Sequence, residues 1–319
     1  MFRGKKIQDG LHRAALYFNS YINLLCCYYR TKLNINAEDG VDKASMSNSL
    51  SYIITEPGVR RIGLINWLGM WTMYMKEVRR FMKVWTQTVA APTITTCLFM
   101  AIFGWAMAGT GRAPAGVSLG EFLAPGLIMM AVIQNAFQNP ASSIVIGKVQ
   151  GAIVDVLMPP LSSLEILLGY VLGGVTRGLT IGLALWVVFS LWPDVDINVS
   201  HWWAVVYHLI SASVMLSLIG TITGIWAEKF DHSSAITNFI IVPFSLLSGT
   251  FYSITRLPDA LQSISAFNPF FYMIDGLRYG FIDHNDGNVV MGVVLTLSLN
   301  LILWALVHNM LKTGYRLKP

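Results

Sequence analysis

The chain has 319 residues, of which 54% are hydrophobic and only 12% charged, with a mean hydropathy of +0.56. That balance excludes an ordinary soluble domain and points to residence in a bilayer. The formal net charge of +5 does not mark a nucleic-acid surface, because thirteen of the 22 Lys and Arg precede residue 86, where basic residues beside an apolar run set membrane orientation.

Residues 1–60 read as a polar N-terminal extension closing in a Ser/Asn-rich linker at Ala44 to Ser51. Within it Leu11, Ala15, Phe18, Ile22, Leu25 and Tyr29 recur in steps of four and three, which predicts one modest amphipathic helix with an ordinary surface or partner-facing role. Arg3, Lys5 and Lys6 precede an apolar stretch broken by Asn19, Ser20 and Asn23, and no small-residue cleavage site follows, so no cleaved signal peptide is expected. Cys26, Cys27 and Cys97 have neither a metal-ligand spacing nor the pattern of a disulfide framework.

Trp67, Trp71, Tyr74, Val78, Phe81 and Trp85 then fall on one helical face, with Lys76, Glu77, Arg79, Arg80 and Lys83 on the rest. This predicts a helix lying in the membrane interface, although a buried core helix shares the spacing. Uninterrupted apolar length places six spans near residues 84–108, 122–146, 164–191, 203–227, 235–254 and 289–310. Pro92, Pro125, Pro140 and Pro243 lie inside them, so kinks or broken turns are expected where neighbours satisfy the freed carbonyls. With both termini cytoplasmic, eighteen Lys and Arg fall on the cytoplasmic side and only Arg112, Arg256 and Arg278 on the other, which favours that orientation.

Nothing resembles a soluble catalytic site: the sequence contains no phosphate-binding G-x-x-x-x-G-K-[ST], no H-E-x-x-H and no Cys-x-x-Cys. His12, His201, His208, His232, His284 and His308 sit in different segments, so no metal centre is expected. The connection between spans two and three, Gly147 to Ser163, is too polar to cross a bilayer and holds a short apolar piece stopped by Pro159 and Pro160. Such a lever can dock in a partner's groove through Val149, Ile153, Val154 and Leu157 while Gln150 and Asp155 set register, or it can lie on the membrane. Arg177 lies near the centre of span three, where a cation costs ~2.5–3.5 kcal/mol on insertion scales. It either meets an anionic group on the translocation path or a gate, or pairs with protein groups. Gly174, Gly178 and Gly182, with the second pair Gly169 and Gly173, read as close helix-packing faces. From Arg256 to Asn288 apolar pieces alternate with Pro258, Pro269 and charges, as in short helices dipping into the outer leaflet; Asp275 and Arg278, three apart, read first as a local salt bridge.

The amphipathic basic helix before span one, the DVLMPP turn, the GGVTRGL segment and the string PFSLLSGTFYSI with LP and FNPFFYMIDGLR after it occur in an order that resembles the type-2 ABC exporter permeases, over roughly residues 64 to 319. The resemblance implies an all-α integral membrane protein: an N-terminal interfacial helix, six transmembrane helices within a domain over 61–319, and outer re-entrant helices between spans five and six. It implies a permease of the inner (cytoplasmic) membrane, working as a dimer with a second permease copy and two copies of a separate ATP-binding cassette protein. ATP and Mg would be held by that partner, with no cofactor in this chain and no catalytic residue of its own. The coupling helix of the family corresponds to Val149–Leu157 here, taking in Gln150, Ile153, Val154 and Asp155, and the interfacial helix helps grip the same partner. Asn268, Pro269, Asp275 and Arg278 correspond to the outer helices that cap the export path. The extension over 1–60 is longer than the family usually carries. The cargo expected is amphipathic, lipid-linked or drug-like. An ion-gradient-driven secondary transporter is the alternative; it would need convergent intramembrane carboxylates or an inverted repeat, and Glu121 and Glu165 sit only at span edges.

Overall fold

A computed structural model describes residues 65–107, 118–192, 195, 197–256 and 258–316, all within the unit Gly63–Pro319. The amphipathic stripe from Leu11 to Tyr29 and the linker at Ala44 to Ser51 lie outside the described residues. Among the described residues the secondary structure is entirely helical. Helix α1 (Trp67–Met82) is followed by a π turn (Thr86–Ala90) that runs into α2 (Ala91–Met107). Next come α3 (Leu119–Val149), the short α4 (Ile153–Leu157), α5 (Ser163–Ser190) and α6 (Trp202–Trp226). Helix α7 (Phe230–Ile236) passes through a second π turn (Thr237–Ile241) into α8 (Val242–Leu247), and a 3-10 turn (Ile254–Arg256), α9 (Asp259–Ala266), α10 (Pro269–Ile282) and α11 (Val289–Thr313) complete the chain.

Among the described residues, five helical stretches are long and apolar enough to cross a membrane: Thr86–Trp105, Leu119–Val149, Ser163–Ser190, Trp202–Trp226 and Val289–Thr313. The stretch expected as a span over 235–254 differs. Its helix starts at Phe230 and stops at Leu247, and its first turns carry Asp231, His232, Ser233 and Ser234. The early stop has local causes, since Gly249 takes φ +78° and the last carbonyls are claimed from outside. Asn268 Nδ2 donates to Phe244 O at 3.0 Å and Ser265 Oγ to Leu247 O at 3.4 Å.

The prolines act in two ways. Pro125 and Pro140 sit inside α3, which continues through both. Pro92 and Pro243 each occupy the second residue of an α segment that follows a π turn, where Ala91 N bonds Thr86 O and Val242 N bonds Thr237 O. A proline lacks an N–H and collides with the carbonyl four residues back, so it is accommodated where the ladder has already shifted by one residue.

Helix α3 is the axis of the bundle, and α5 and α6 lie against its backbone because glycines remove the intervening side chains. A Cβ on Gly174 would sit 2.9 Å from Ala136 O, one on Gly224 3.2 Å from Ala141 O, and one on Gly220 would collide with Phe137 O. Gly178 and Gly182 meet Ala136 and Val132 of α3 in the same way, while Gly169 and Gly173 face Met73 and Glu77 of α1. Both small-residue faces of α5 are therefore packing faces. By contrast α2 and α11 turn most of their surface outward, including Ile94, Leu98, Ile102, Leu297, Leu301 and Ile302.

The predicted apolar stripe is not the buried face of α1. Of its residues Phe81 is buried and Tyr74 and Val78 are half-buried, while Trp67, Trp71 and the following Trp85 remain exposed; Met73 and Glu77, which lie off that stripe, complete the face packed against the bundle. Glu77 is 0% exposed; it accepts from Ser143 Oγ at 2.6 Å and pairs with Arg80 Nη2 at 3.2 Å. Arg80 also donates to Asn139 O at 2.7 Å and to Ser142 Oγ at 3.1 Å. Tyr74 and Thr176 join α1 to α5 through hydroxyls 3.0 Å apart. Thus α1 is bolted to α3 by charge-assisted bonds as well as by apolar contact.

Two outcomes test this packing. Gly220→Leu should cost about 1–3 kcal/mol through overpacking against the α3 backbone, while Gly104→Leu, whose Cβ meets nothing within 4 Å, should be neutral; thermal inactivation of the purified chain compares them. Glu77→Ala should cost about 2 kcal/mol or more by stranding Arg80 and Ser143, less than the ~3–5 kcal/mol of a fully buried pair because Arg80 keeps some water contact. Adding Arg80→Ala should recover part of that loss in the same assay.

Candidate functional site

Three groups of residues stand out, one at each end of the bundle and one between. At the first end α3 closes at Val149, and the chain reverses through Gln150 and Gly151, the latter at φ +71°. Helix α4 then presents two faces. Ile153 and Val156 are buried with Met73, Ile144, Ile166, Tyr170 and Ile225, while Val149, Val154, Leu157 and the 77% exposed Met158 remain open with Gln150 and Asp155. Ile153 is therefore packed into the bundle, and is not open to a partner as the sequence pattern expected.

The surroundings of α4 are tied by unusually busy polar groups. Ser162 and Glu165 form a reciprocal cap at the start of α5, and the same Glu165 carboxylate accepts from Asn66 N at 2.6 Å and Ser162 N at 2.7 Å. Asn66 also caps α1 through Gly69 N and reaches Pro160 O at 3.4 Å. The starts of α1 and α5 thus meet at one carboxylate, and the Asn66 side chain ties the proline stop after α4 to them. Lys148 Nζ, at the end of α3, donates to Ile225 O at 2.6 Å and Ala227 O at 2.8 Å, taking up the terminal carbonyls of α6.

Between the ends, α2, α3 and the second π turn border a cleft of about 340 Å³. Gln87, Gln134, Asn135 and Gln138 supply carboxamides and Thr95, Thr96 and Thr237 hydroxyls, while Phe99, Leu127 and Met130 form its apolar part. Arg177 does not line it. The guanidinium, 7% exposed, donates from Nη2 to Asn135 Oδ1 at 3.0 Å, and Asn135 Nδ2 donates in turn to Ala131 O at 3.0 Å. Arg177 stands behind the wall and holds one of the lining side chains.

At the far end lie α9 and α10. Asn268 is the N-cap of α10, with Pro269 at the first helical position; besides Phe244 O it bonds Ser248 Oγ at 2.8 Å. Asp275 and Arg278 do not form the expected salt bridge, because each is drawn elsewhere. Asp275 accepts from the amides of Asp286 at 2.8 Å and Gly287 at 3.0 Å. Arg278, 1% exposed, donates to Gly249 O at 2.8 Å and lies 3.9 Å over the Phe122 ring. Burial pushes the Asp275 carboxyl above its ordinary range, against the pull of those two amides and of Arg278, and pushes the Arg278 guanidinium down. Asp286 extends the network by accepting from Ser253 Oγ at 2.8 Å and Ile254 N at 3.1 Å.

Of the residues singled out from the sequence, those around α4 are gathered at one end and Asn268, Pro269, Asp275 and Arg278 at the other, with Arg177 separate from both. Sequence reasoning missed Glu165, Glu77, Lys148 and the three glutamines. Signals existed for some of them: Ser162-x-x-Glu165 is a capping box, and Gln134 and Gln138 are amides one turn apart inside an apolar run. Among the described residues no three His, Cys, Asp or Glu side chains converge as a metal site would require.

Comparison with known proteins agrees with this architecture. The family model for the ABC-2 type transporter matches residues 69–282. The chain is similar to the inner membrane transport permease YadH of Escherichia coli strain K12, 38% identical over 247 residues that cover 76% of this chain and 96% of that one. It also resembles nodulation protein J of Rhizobium leguminosarum bv. viciae, at 24% identity over 241 residues covering 72% and 88%. A family match across most of α1 to α10, joined to a relative alike over nearly its whole length, shows that the chain belongs to the ABC-2 type transporter family, as a membrane subunit of a transporter that pairs with an ATP-binding cassette protein.

Proposed function

We propose that this chain is the permease of an ATP-driven exporter in the inner membrane, moving an amphipathic, lipid-linked or drug-like substrate out of the cytoplasm. The observation that carries the reading is the two-faced α4: Ile153 and Val156 lock it to the bundle while Val154, Leu157 and Met158 stay open beyond the ends of the long helices. Short amphipathic elements of this kind dock in a groove on a partner. A separate cassette protein, present in two copies and holding ATP and Mg, supplies the energy, and two permease copies form the path as a homodimer.

In this reading residues 61–319 form the transmembrane domain, behind a polar extension over 1–60. The helical run from Phe230 to Leu247 serves as a sixth crossing, and α9 and α10 are re-entrant elements that cap the path through Asn268, Pro269, Asp275 and Arg278. Both termini are cytoplasmic, in keeping with the excess of Lys and Arg on that side. Closure of the partner on ATP pushes α4, whose buried residues prevent it from sliding alone. Glu165 with Asn66 passes the displacement to α1 and α5, and Lys148 passes it to α6. The permease thereby interconverts two arrangements and performs no covalent chemistry.

Val154→Lys combined with Asp155→Lys should abolish co-purification of the cassette partner and lower transport at least about tenfold, leaving the thermal stability of the permease unchanged because both positions are exposed. Retained association and transport would reject the coupling assignment. For orientation, a chain with its native cysteines replaced by Ser should react with a membrane-impermeant maleimide from the cytoplasmic side after Met158→Cys, and from the opposite side after Asn285→Cys.

A further inference from the structure

Helix α1 has three sides. Met73, Glu77 and Phe81 form the one packed on the bundle. Trp67, Leu68, Trp71 and Met82 make a second, open side, and Lys76, Arg79 and Lys83, also exposed, make a third. At about 100° per residue the centres of the three lie roughly 100–130° apart, so the cations and the indoles occupy different flanks of one helix.

The basic flank carries charge with nothing to answer it. Glu77 is the one acidic residue between Ile65 and Met107, and it is turned inward and taken by Ser143 and Arg80. Among the described residues the side chains of Lys76, Arg79 and Lys83 make no hydrogen bond or ion pair. Arg79 presents a planar fork suited to phosphate, and Lys76 and Lys83 stand roughly 5 Å from it along the axis, one on either side. Three cations on one flank call for an anionic partner.

The depth of α1 decides between a membrane and a protein as that partner. Arg80 bonds the carbonyl of Asn139, while α3 runs on to Val149, so the last turn of α1 lies about 15 Å inward of the α4 end of the bundle. Trp85 follows, and there the crossing Thr86–Trp105 begins. Trp71 and Trp85 are each 57% exposed, and indoles of this kind settle at the border between headgroups and hydrocarbon. A groove on a protein would have to enclose both flanks at once. A bilayer surface accepts them as they stand, with the indoles towards the acyl chains and the cations reaching the phosphates on their long stems.

We infer that the open side of α1 is a binding surface for anionic phospholipids of the leaflet at the α4 end, with Lys76, Arg79 and Lys83 taking the negatively charged headgroups and Trp67, Trp71 and Met82 lying against the acyl chains. The assignment needs only a membrane subunit and is independent of the cargo. A bound lipid steadies the helix that Glu77, Arg80 and Asn66 tie to α3 and α5.

Radiolabelled dioleoyl phosphatidylglycerol and dioleoyl phosphatidylcholine, titrated into the full permease in dodecyl maltoside micelles, share their chains and differ in headgroup charge. Phosphatidylglycerol should bind saturably and at least about tenfold more tightly than phosphatidylcholine, and 0.5 M NaCl, a flagged concentration of about three times the physiological value, should remove most of that preference. Lys76→Gln, Arg79→Gln and Lys83→Gln together should weaken phosphatidylglycerol binding about tenfold or more, whereas Lys76→Arg with Lys83→Arg should hold it within about twofold. Lys229→Gln with Lys312→Gln, which removes exposed charge from the same end, should also change it by less than about twofold. The salt response of the unmodified chain keeps the test decisive if the triple variant misfolds. Equal affinity for the two lipids, a preference that survives the salt, or equal losses in the Lys229 and Lys312 control would overturn the site. A triple variant that keeps phosphatidylglycerol but no longer co-purifies its cassette partner would overturn it too, and would give the basic flank to that protein.

Discussion

Hydrocarbon cannot hydrogen-bond a peptide carbonyl, so each place where a helix ends, bends or shifts its ladder must find its partners within the protein. Lys148 takes the final carbonyls of α6. Asn268 and Arg278 take Phe244 O and Gly249 O where α8 gives out, and Ser162 with Glu165 and Ser118 with Glu121 close the starts of α5 and α3. These side chains come from other segments or from the first turn of their own helix. The satisfaction of one backbone therefore fixes the position of another.

The same requirement separates a stiff part of the molecule from a lightly held one. Helices α3, α5 and α6 touch backbone to backbone through glycines, and α10 is pressed onto α6 by Gly276, whose missing side chain leaves room for the His208 ring. Against this block α2 and α11 are covered along little of their length. The cleft lies where the two regimes meet, with α3 as its firm wall and α2 and the second π turn as the others.

Much of this was legible in the sequence, for reasons that are local. Apolar length located the long helices, Pro159 and Pro160 announced the end of α4, and the repeating glycines of α5 marked its packing faces. The fifth run was harder to read, because its end is decided by Asn268 and Gly249 and not by a change in hydrophobicity. The polar pairings were illegible because their partners are distant: Arg177 meets Asn135 across 42 positions and Glu77 meets Ser143 across 66. Proximity misled at Asp275 and Arg278, where an i,i+3 spacing suggested a pair and tertiary partners of higher value took both residues. On α1 the aromatic stripe pointed away from the packing face, because a buried carboxylate, Glu77, with a partner 66 positions away sits where the pattern placed the charged side.

The two π turns carry a consequence for how the gene can vary. A π turn holds one residue more than the α-helix would use over the same rise. Loss of one residue between Thr86 and Ala90 would therefore restore an α turn over the same rise and leave Thr95, Thr96 and Phe99 facing the cleft. What such a deletion would cost is the room for Pro92, whose ring would then meet the carbonyl four residues back in an ordinary ladder. The same loss between Ala91 and Thr95, where the helix has no extra residue to give up, would rotate the lining residues beyond it by about 100°. The π turn is thus a place where the length of the chain can change without re-aiming the wall of the cleft.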